Sequence, residues 1–365
     1  MSSLTLKRVV FSLDRGIVAP MKKFVLFLTV FLFCSLLHAQ QPKALLYLTR
    51  SADGVRSFYA HADKIDILVP TWYDVDGDGL VSGGPDPAVL AAAKQHHIEV
   101  MPIVASSGFQ QAPFHKLITT PAAWSRMVDQ LIAACRQNGY SGFQFDFENI
   151  AWTDRDTLSQ AVAKAAEALH REGLKLSIAT VPNAPGAPGQ SAFSAWLYAN
   201  WRGAYDLSAL AQSVDLICLM TYDQHTRWTA PGPVGGWGWT TENLDYALKV
   251  VPKEKLSLGI ALYGYHWFAG PPQNDKPNPS AEYIGGQDAL DLARAYGGKI
   301  EWDPVDRTAW TWFYRDDMRE WIFFTDEHTF RERYDLVKQR GLQGFCSWVL
   351  GQEDPSIWNV LPSHK

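Results

Sequence analysis

Two carboxylates one residue apart, Asp146 and Glu148, close the run Gly142-Phe-Gln-Phe-Asp-Phe-Glu148. Large apolar residues at 143, 145 and 147 alternate with polar ones at 144, 146 and 148, the period of a strand whose successive side chains point to opposite faces. Phe143, Phe145 and Phe147 can then bury while Gln144, Asp146 and Glu148 share the other face. Carboxylates spaced this way lie roughly 7 Å apart, near enough for each to raise the other's affinity for a proton. An acid that keeps its proton near neutral pH is what general acid catalysis requires. An Asp-x-Glu is also an ordinary polar ending for a buried strand. Chemistry is favoured here because the pair follows a buried run rather than flanking a turn, and because Asn149 and Ile150 lead into Trp152, an aromatic able to line a cleft.

Three further segments end strand-like runs in reactive or aromatic residues: Met220-Thr-Tyr222-Asp223, Tyr263-Gly-Tyr265 with Trp267, and Ser347-Trp348. For these to meet Glu148, the fold must gather strand ends on one face. Short β-rich runs alternate with helical patterns through the chain, at 44–48, 65–70, 99–104, 142–147, 174–181, 216–221, 256–262 and 344–349. Eight such units predict a (β/α)8 barrel, with a doubly wound sheet as the other architecture that alternation allows. Chemistry in either sits at the C-terminal strand ends. Between the seventh and eighth strands the chain runs on for about eighty residues, far beyond an ordinary crossover. An α+β insertion over about 267–321 is expected there, forming one wall of the cleft.

Composition narrows the partners. A net charge of −5 and a pI near 6.1 give no basic field for nucleic acid. Lys22 and Lys23, an apolar run from Phe24 to Leu37 and a small residue at Ala39 read as a signal peptide over about 21–39. The run is short for a spanning helix, so the expected product is secreted or periplasmic, with the barrel over 42–365 and residues 1–20 a candidate upstream extension. Of the four cysteines, Cys34 leaves with the signal; Cys135, Cys218 and Cys346 form no close pair and read as small buried hydrophobes. The segment Asp74-Val-Asp76-Gly-Asp78-Gly79 has a calcium-loop spacing, but Pro85 stands where a bidentate Glu is required. A polar loop is the preferred reading. No histidine or cysteine cluster has metal-ligand spacing, so neither metal nor cofactor is implied.

Four of these segments together resemble glycoside hydrolase family 18: Gly142 to Glu148, the Met-Thr-Tyr-Asp ending at Asp223, Leu258-Gly-Ile-Ala-Leu-Tyr263-Gly264, and Gly344-Phe-Cys-Ser-Trp348. The resemblance covers most of the mature chain. It implies retaining hydrolysis of N-acetylglucosamine polymers, with the substrate's acetamide in place of a protein nucleophile, an exception to the two-carboxylate scheme. By that resemblance Glu148 is the general acid and later the base. Asp146 orients the acetamide and balances the cationic intermediate, Tyr222 donates to the acetamide carbonyl, and Asp223 bonds the distorted sugar. Trp348 forms the floor under that sugar. Gln144, Tyr263, Trp72, Trp237 and Trp267 complete the expected binding set.

The match departs from the family's Asp-x-x-Asp-x-Asp-x-Glu at Ser141 and Gln144. The amide at 144, the Pro70-Thr-Trp72-Tyr73 segment and the Trp348-to-Asp354 ending look like the bacterial spore-germination and cell-wall hydrolase branch. Chitin and peptidoglycan both remain open as substrates. Fifteen tryptophans are many for this length, and flat rings stack on sugar faces. Gly235-Gly-Trp237-Gly-Trp239 is read as a loop presenting such rings. A monomer is expected. A non-catalytic carbohydrate-binding relative is the alternative, since both missing aspartates weaken the catalytic pattern.

Overall fold

The computed structural model describes residues 41–183, 188–268 and 281–363; the signal-peptide reading lies outside them. Elements run β1 (Lys43–Leu48), α1 (Ala52–His61), β2 (Ile67–Pro70), β3 (Tyr73–Val75), β4 (Val81–Gly83), α2 (Pro87–Gln95), β5 (Glu99–Val100) and β6 (Ile103–Ser106). Then come α3 (Gln111–Thr119), α4 (Pro121–Asn138), β7 (Gly142–Asp146), α5 (Arg155–Arg171), β8 (Lys175–Thr180), α6 (Ala192–Leu197), α7 (Leu207–Ser213), β9 (Leu216–Leu219), α8 (Trp237–Ala247) and β10 (Leu256–Ala261). The last group is β11 (Tyr263–Trp267), β12 (Ala281–Gly285), α9 (Gly286–Ala295), β13 (Glu301–Asp303), β14 (Thr308–Arg315), β15 (Met318–Phe324), α10 (Glu327–Arg340) and β16 (Gly344–Trp348).

The main sheet has the order β4-β3-β6-β7-β8-β9-β10-β16-β1-β2-β5. Its two ends meet, because β5 and β6 are halves of one strand interrupted at Met101-Pro102. Proline has no N–H for a ladder; β5 pairs with β2, and β6 with β3 and β7. The sheet therefore closes into the expected (β/α)8 barrel. The strand windows read from the sequence each overlap an observed barrel strand. Close packing sets two of the strand starts: a Cβ on Gly142 would stand 1.9 Å from the Lys175 carbonyl oxygen, and one on Gly344 2.1 Å from that of Lys43.

Period-2 patterning divides the apolar residues into two layers. Phe143, Phe145, Ile178, Leu258 and Phe345 pack outward against helical residues such as Leu131 and Leu158. Leu45, Tyr47, Val69, Ile103, Cys218 and Cys346 fill the barrel. Cys135, Cys218 and Cys346 are free and buried, as read. Side-chain caps fix several helix starts: Ser51, Asp86, Asp206 and Asp326 accept from the first-turn amides of α1, α2, α7 and α10.

After β10 the chain leaves the barrel for an antiparallel sheet of order β12-β11-β15-β14-β13, with α9 packed on it. Trp310 and Trp312 lie in β14. The first inserted strand packs Tyr263, Tyr265 and Trp267 near Tyr222 and Trp348, so the insertion stands beside the C-terminal mouth. The Asp74–Gly79 segment lies in a β3–β4 hairpin. Asp76 Oδ1 accepts the amides of Asp78 and Leu80, both at 2.9 Å, and Asp78 pairs with Lys116 at 2.6 Å. Among the described residues no helix is long and apolar enough to cross a membrane.

Candidate active site

Asp146 ends β7 inside the barrel, and Glu148 stands two residues beyond, half-buried at the wall of a cavity of about 550 Å³. The backbone between them is fixed from outside: the Tyr205 hydroxyl donates to the Phe147 carbonyl at 2.6 Å, and Asn149 Nδ2 donates to the Phe109 carbonyl at 2.9 Å. Those bonds hold a sharp turn in which Asn149 has φ 53°, a conformation asparagine tolerates. Glu148 thus faces the cavity without being part of a regular strand.

The electrostatics follow from this placement. Burial, then the neighbouring Asp146 and Asp223, holds the Glu148 carboxyl well above its ordinary range, which favours the protonated form that a general acid needs. Asp146 is more deeply enclosed, and burial pushes it up to about 6. It is ionised at neutral pH, a negative charge beneath a proton donor. Asp146 Oδ1 and both amide atoms of Gln144 have no partner among the described residues.

Tyr222 and Asp223 follow β9 and line the same cavity. Burial first, then neighbouring groups including Asp146 and Glu148, raises the Tyr222 phenol far above its usual range, so its hydroxyl remains a donor. Asp223 takes φ 60° and is open to the cavity although protein surrounds most of it. Burial raises its carboxyl, and hydrogen bonds from Tyr263 and Tyr265 pull it back. Both hydroxyls donate to the same oxygen, Oδ1, that of Tyr265 at 3.2 Å. Tyr263 is itself buried, so its place is behind Asp223 rather than against a ligand.

Trp348 is half-buried at the end of β16, 5.4 Å from the Tyr47 ring centroid and packed in the same clusters as Tyr222. It shares those clusters with Tyr222 but does not itself line the cavity that Glu148 and Asp223 face. Gln144 is fully buried two residues before Asp146 on the inward face and does not line the cavity.

Three expected binding tryptophans are corrected. Trp72 is 4 % exposed and packs on Tyr140 in the layer between strands and helices. Trp267 is 2 % exposed, its indole N–H donating to the Thr229 carbonyl at 3.1 Å. Trp237 begins α8 rather than lying in a loop, and the guanidiniums of Arg307 and Arg333 cover its ring at 3.9 and 5.3 Å. The glycines around it serve close backbone packing: a Cβ on Gly235 would stand 2.6 Å from the Thr221 carbonyl oxygen. Trp239, one residue past Gly238, does line the cavity.

Phe193, Trp196, Trp201 and Arg202 of the cavity's outer wall were not singled out in the sequence. Phe193 and Trp196 on α6 are exposed and stacked, their centroids 6.0 Å apart, and Trp201 and Arg202 continue that wall. Opposite them stands Trp228, 71 % exposed. Aromatics at 193, 196, 198 and 201 were a visible signal, but only helical winding turns 193, 196 and 201 toward one cavity. Tyr265 and Tyr283 complete the wall from the insertion.

The sequence model described as Glycosyl hydrolases family 18 matches residues 44–353. The chain belongs to glycosyl hydrolase family 18. Within the family it is similar to the cortical fragment-lytic enzyme of Bacillus subtilis (strain 168), 29 % identical over 240 residues, 65 % of this chain. It spans about half, 52 %, of that relative's length. The fold is that of the chitinase from Chromobacterium violaceum, with a TM-score of 0.78 at 24 % identity over 87 % of this chain and 97 % of that one. The spore cortex-lytic enzyme of Bacillus megaterium also gives a TM-score of 0.78, at 21 % identity over 88 % of this chain and 73 % of that one. The family-18 barrel is therefore established on three grounds: strand topology, family match and structural likeness.

Proposed function

We propose that this family-18 glycosidase cleaves β-1,4-linked N-acetylglucosamine-containing glycans, chitin-type or peptidoglycan, with retention of configuration through the substrate's acetamide. The observation that carries the reading is the placement of Glu148 at the cavity wall next to the enclosed Asp146 at the end of β7, where burial and the neighbouring carboxylates favour the protonated form of Glu148. Glu148 would protonate the glycosidic oxygen as the bond breaks and later remove a proton from water. Asp146 would orient the acetamide nitrogen and offset the positive charge that develops when the carbonyl closes on the sugar. Tyr222 would donate to that acetamide, Asp223 would hold the sugar, and Trp348 would support its face. A purely carbohydrate-binding role would leave the proton held on Glu148 without a use. The apolar stretch within 21–39 supports export, to the periplasm or beyond.

The test is product release from chitin oligosaccharides and from peptidoglycan by wild type and Glu148→Gln, with mass detection of reducing ends and NMR of the first anomer formed. The variant should lose at least about 10²–10⁴-fold in turnover while still binding glycan. A variant that keeps most of its activity removes Glu148 from the acid role, and an inverted first product removes the acetamide mechanism.

A further inference from the structure

The cavity is charged unevenly. Glu148 and Asp223 occupy the barrel end, whereas Arg202 lies on the outer wall beside Trp201, at the end of the helical stretch that begins with α6. Arg202 is half-buried, and its guanidinium makes no hydrogen bond, ion pair or ring contact with any described residue. Other arginines in comparable surroundings are satisfied. Arg155 pairs with Asp206 at 2.9 Å, Arg307 with Glu332 at 2.8 Å, and the buried Arg333 donates to three backbone carbonyls.

A guanidinium taken partly out of water without an acceptor is unfavourable. Burial alone pulls the proton affinity of Arg202 down, with no carboxylate offsetting it. Its fork of donors suits a planar anion, above all a carboxylate bound through two parallel N–H bonds. Arg227, whose guanidinium lies 5.0 Å from the Trp228 ring centroid, adds a second positive charge to the same cavity. The negative charge that Asp146 places at the barrel end, with Asp223 beside it, would repel an anion there, so a negatively charged substituent fits better at the outer wall.

We propose that Arg202 reads a carboxylate on the glycan beyond the cleaved bond, making the preferred substrate an acidic, muramic-acid-containing chain rather than neutral chitin. The inference rests on the glycosidase reading and narrows its substrate. A chitin chain offers Arg202 only hydroxyls and single amide carbonyls. A muramyl sugar offers a carboxylate, either the free acid of its lactyl ether or that of an attached peptide. Arg202 acts as a specificity residue and takes no part in proton transfer.

The experiment compares kcat/KM on defined glycans, each as the free acid and as its methyl ester: a peptide-free muramyl glycan and the same glycan bearing its peptides. Wild type should favour the free acid by about 10-fold or more, as expected for one charge-assisted bidentate bond. Arg202→Met should bring the ratio to about one, and its turnover of the ester reports that the variant is folded. Arg202→Lys, which keeps the charge and loses the fork, should retain part of the preference. A preference on the peptide-free glycan identifies the lactyl carboxylate, and one confined to the peptide-bearing glycan identifies the peptide's; both support the proposal. No preference in wild type, or the same ratio in Arg202→Met, overturns it. Wild type that cuts no glycan in either form, chitin oligosaccharides included, overturns instead the glycosidase reading on which it rests.

Discussion

Replacing Asp146 with Asn should make the protein's stability less sensitive to pH while impairing its chemistry. Asp146 is 8 % exposed, and burial pushes its carboxyl from an ordinary 3.8 up to about 6. A native state that holds a proton more tightly than the unfolded chain is favoured below the unfolded value. It loses that advantage as the pH climbs through the folded one, here between about 4 and just above 6. At about 1.4 kcal/mol for each pH unit, ionising Asp146 costs the fold about 3 kcal/mol at neutral pH. Asparagine does not titrate, so the variant escapes that cost. Its amide meets the same lack of partners as Oδ1 does now, but that penalty is independent of pH and cancels when two pH values are compared. Urea denaturation followed by tryptophan fluorescence, near pH 4 and near pH 7.5, gives the two stability differences. The variant-minus-wild-type difference should be about 2 to 2.5 kcal/mol more favourable at the higher pH, since part of the cost is already present at pH 4. Relaxation of Glu148 toward its ordinary range, once Asp146 carries no charge, adds in the same direction. A difference that is equal at both pH values, or larger near pH 4, refutes the assignment of a strained, ionised Asp146. Turnover should fall in the same variant, because the charge that destabilises the fold is the one that would stabilise the cationic intermediate.

Tyr263→Phe should lower kcat/KM about 10-fold, the worth of a hydrogen bond to a charged group. It should also move the acidic limb of the pH–rate profile upward, since the lost donor had been lowering the Asp223 value; an unmoved limb would detach Tyr263 from the site. Trp72→Ala should cost about 3–5 kcal/mol in stability. Trp228→Ala should stay within about 0.5 kcal/mol yet raise KM on oligosaccharides about 2- to 10-fold, as one ring stack would. Denaturation midpoints and steady-state kinetics separate the two, and a reversal of this pattern would undo the correction that placed Trp72 in the core. Gly142→Ala should destabilise the barrel by about 3 kcal/mol in urea, because its Cβ has no space against the Lys175 carbonyl; a neutral effect would mean that β7 and β8 can part there without penalty.

Local pattern carried the fold a long way. The alternation at 142–148 sent three phenylalanines outward and three polar residues inward, because strand geometry imposes that period on any paired chain. Eight β–α units and the long connection after the seventh strand were legible for the same reason. Each is a property of residues near one another in sequence. The three misplaced tryptophans show where that reasoning stops. Trp72, Trp237 and Trp267 sit beside glycines, prolines or strand ends, yet distant groups bury or cover them: Tyr140, the guanidiniums of Arg307 and Arg333, and packing among the inserted strands.

The sequence by itself determined which chemistry is available: an acid pair on one strand face, a Tyr-Asp after the sixth barrel strand, a tryptophan closing the eighth. Tertiary structure alone decided how these groups are tuned and what surrounds them. Tyr263 and Tyr265 reach Asp223 from about forty residues away, and the broken strand at Pro102 joins the ends of the sheet. Arg202 is brought in among the aromatic rings of the outer wall. The physical reason is that proton affinity and exposure depend on what fills the space around a side chain. In a barrel, that space is filled by strands and loops far apart in the chain.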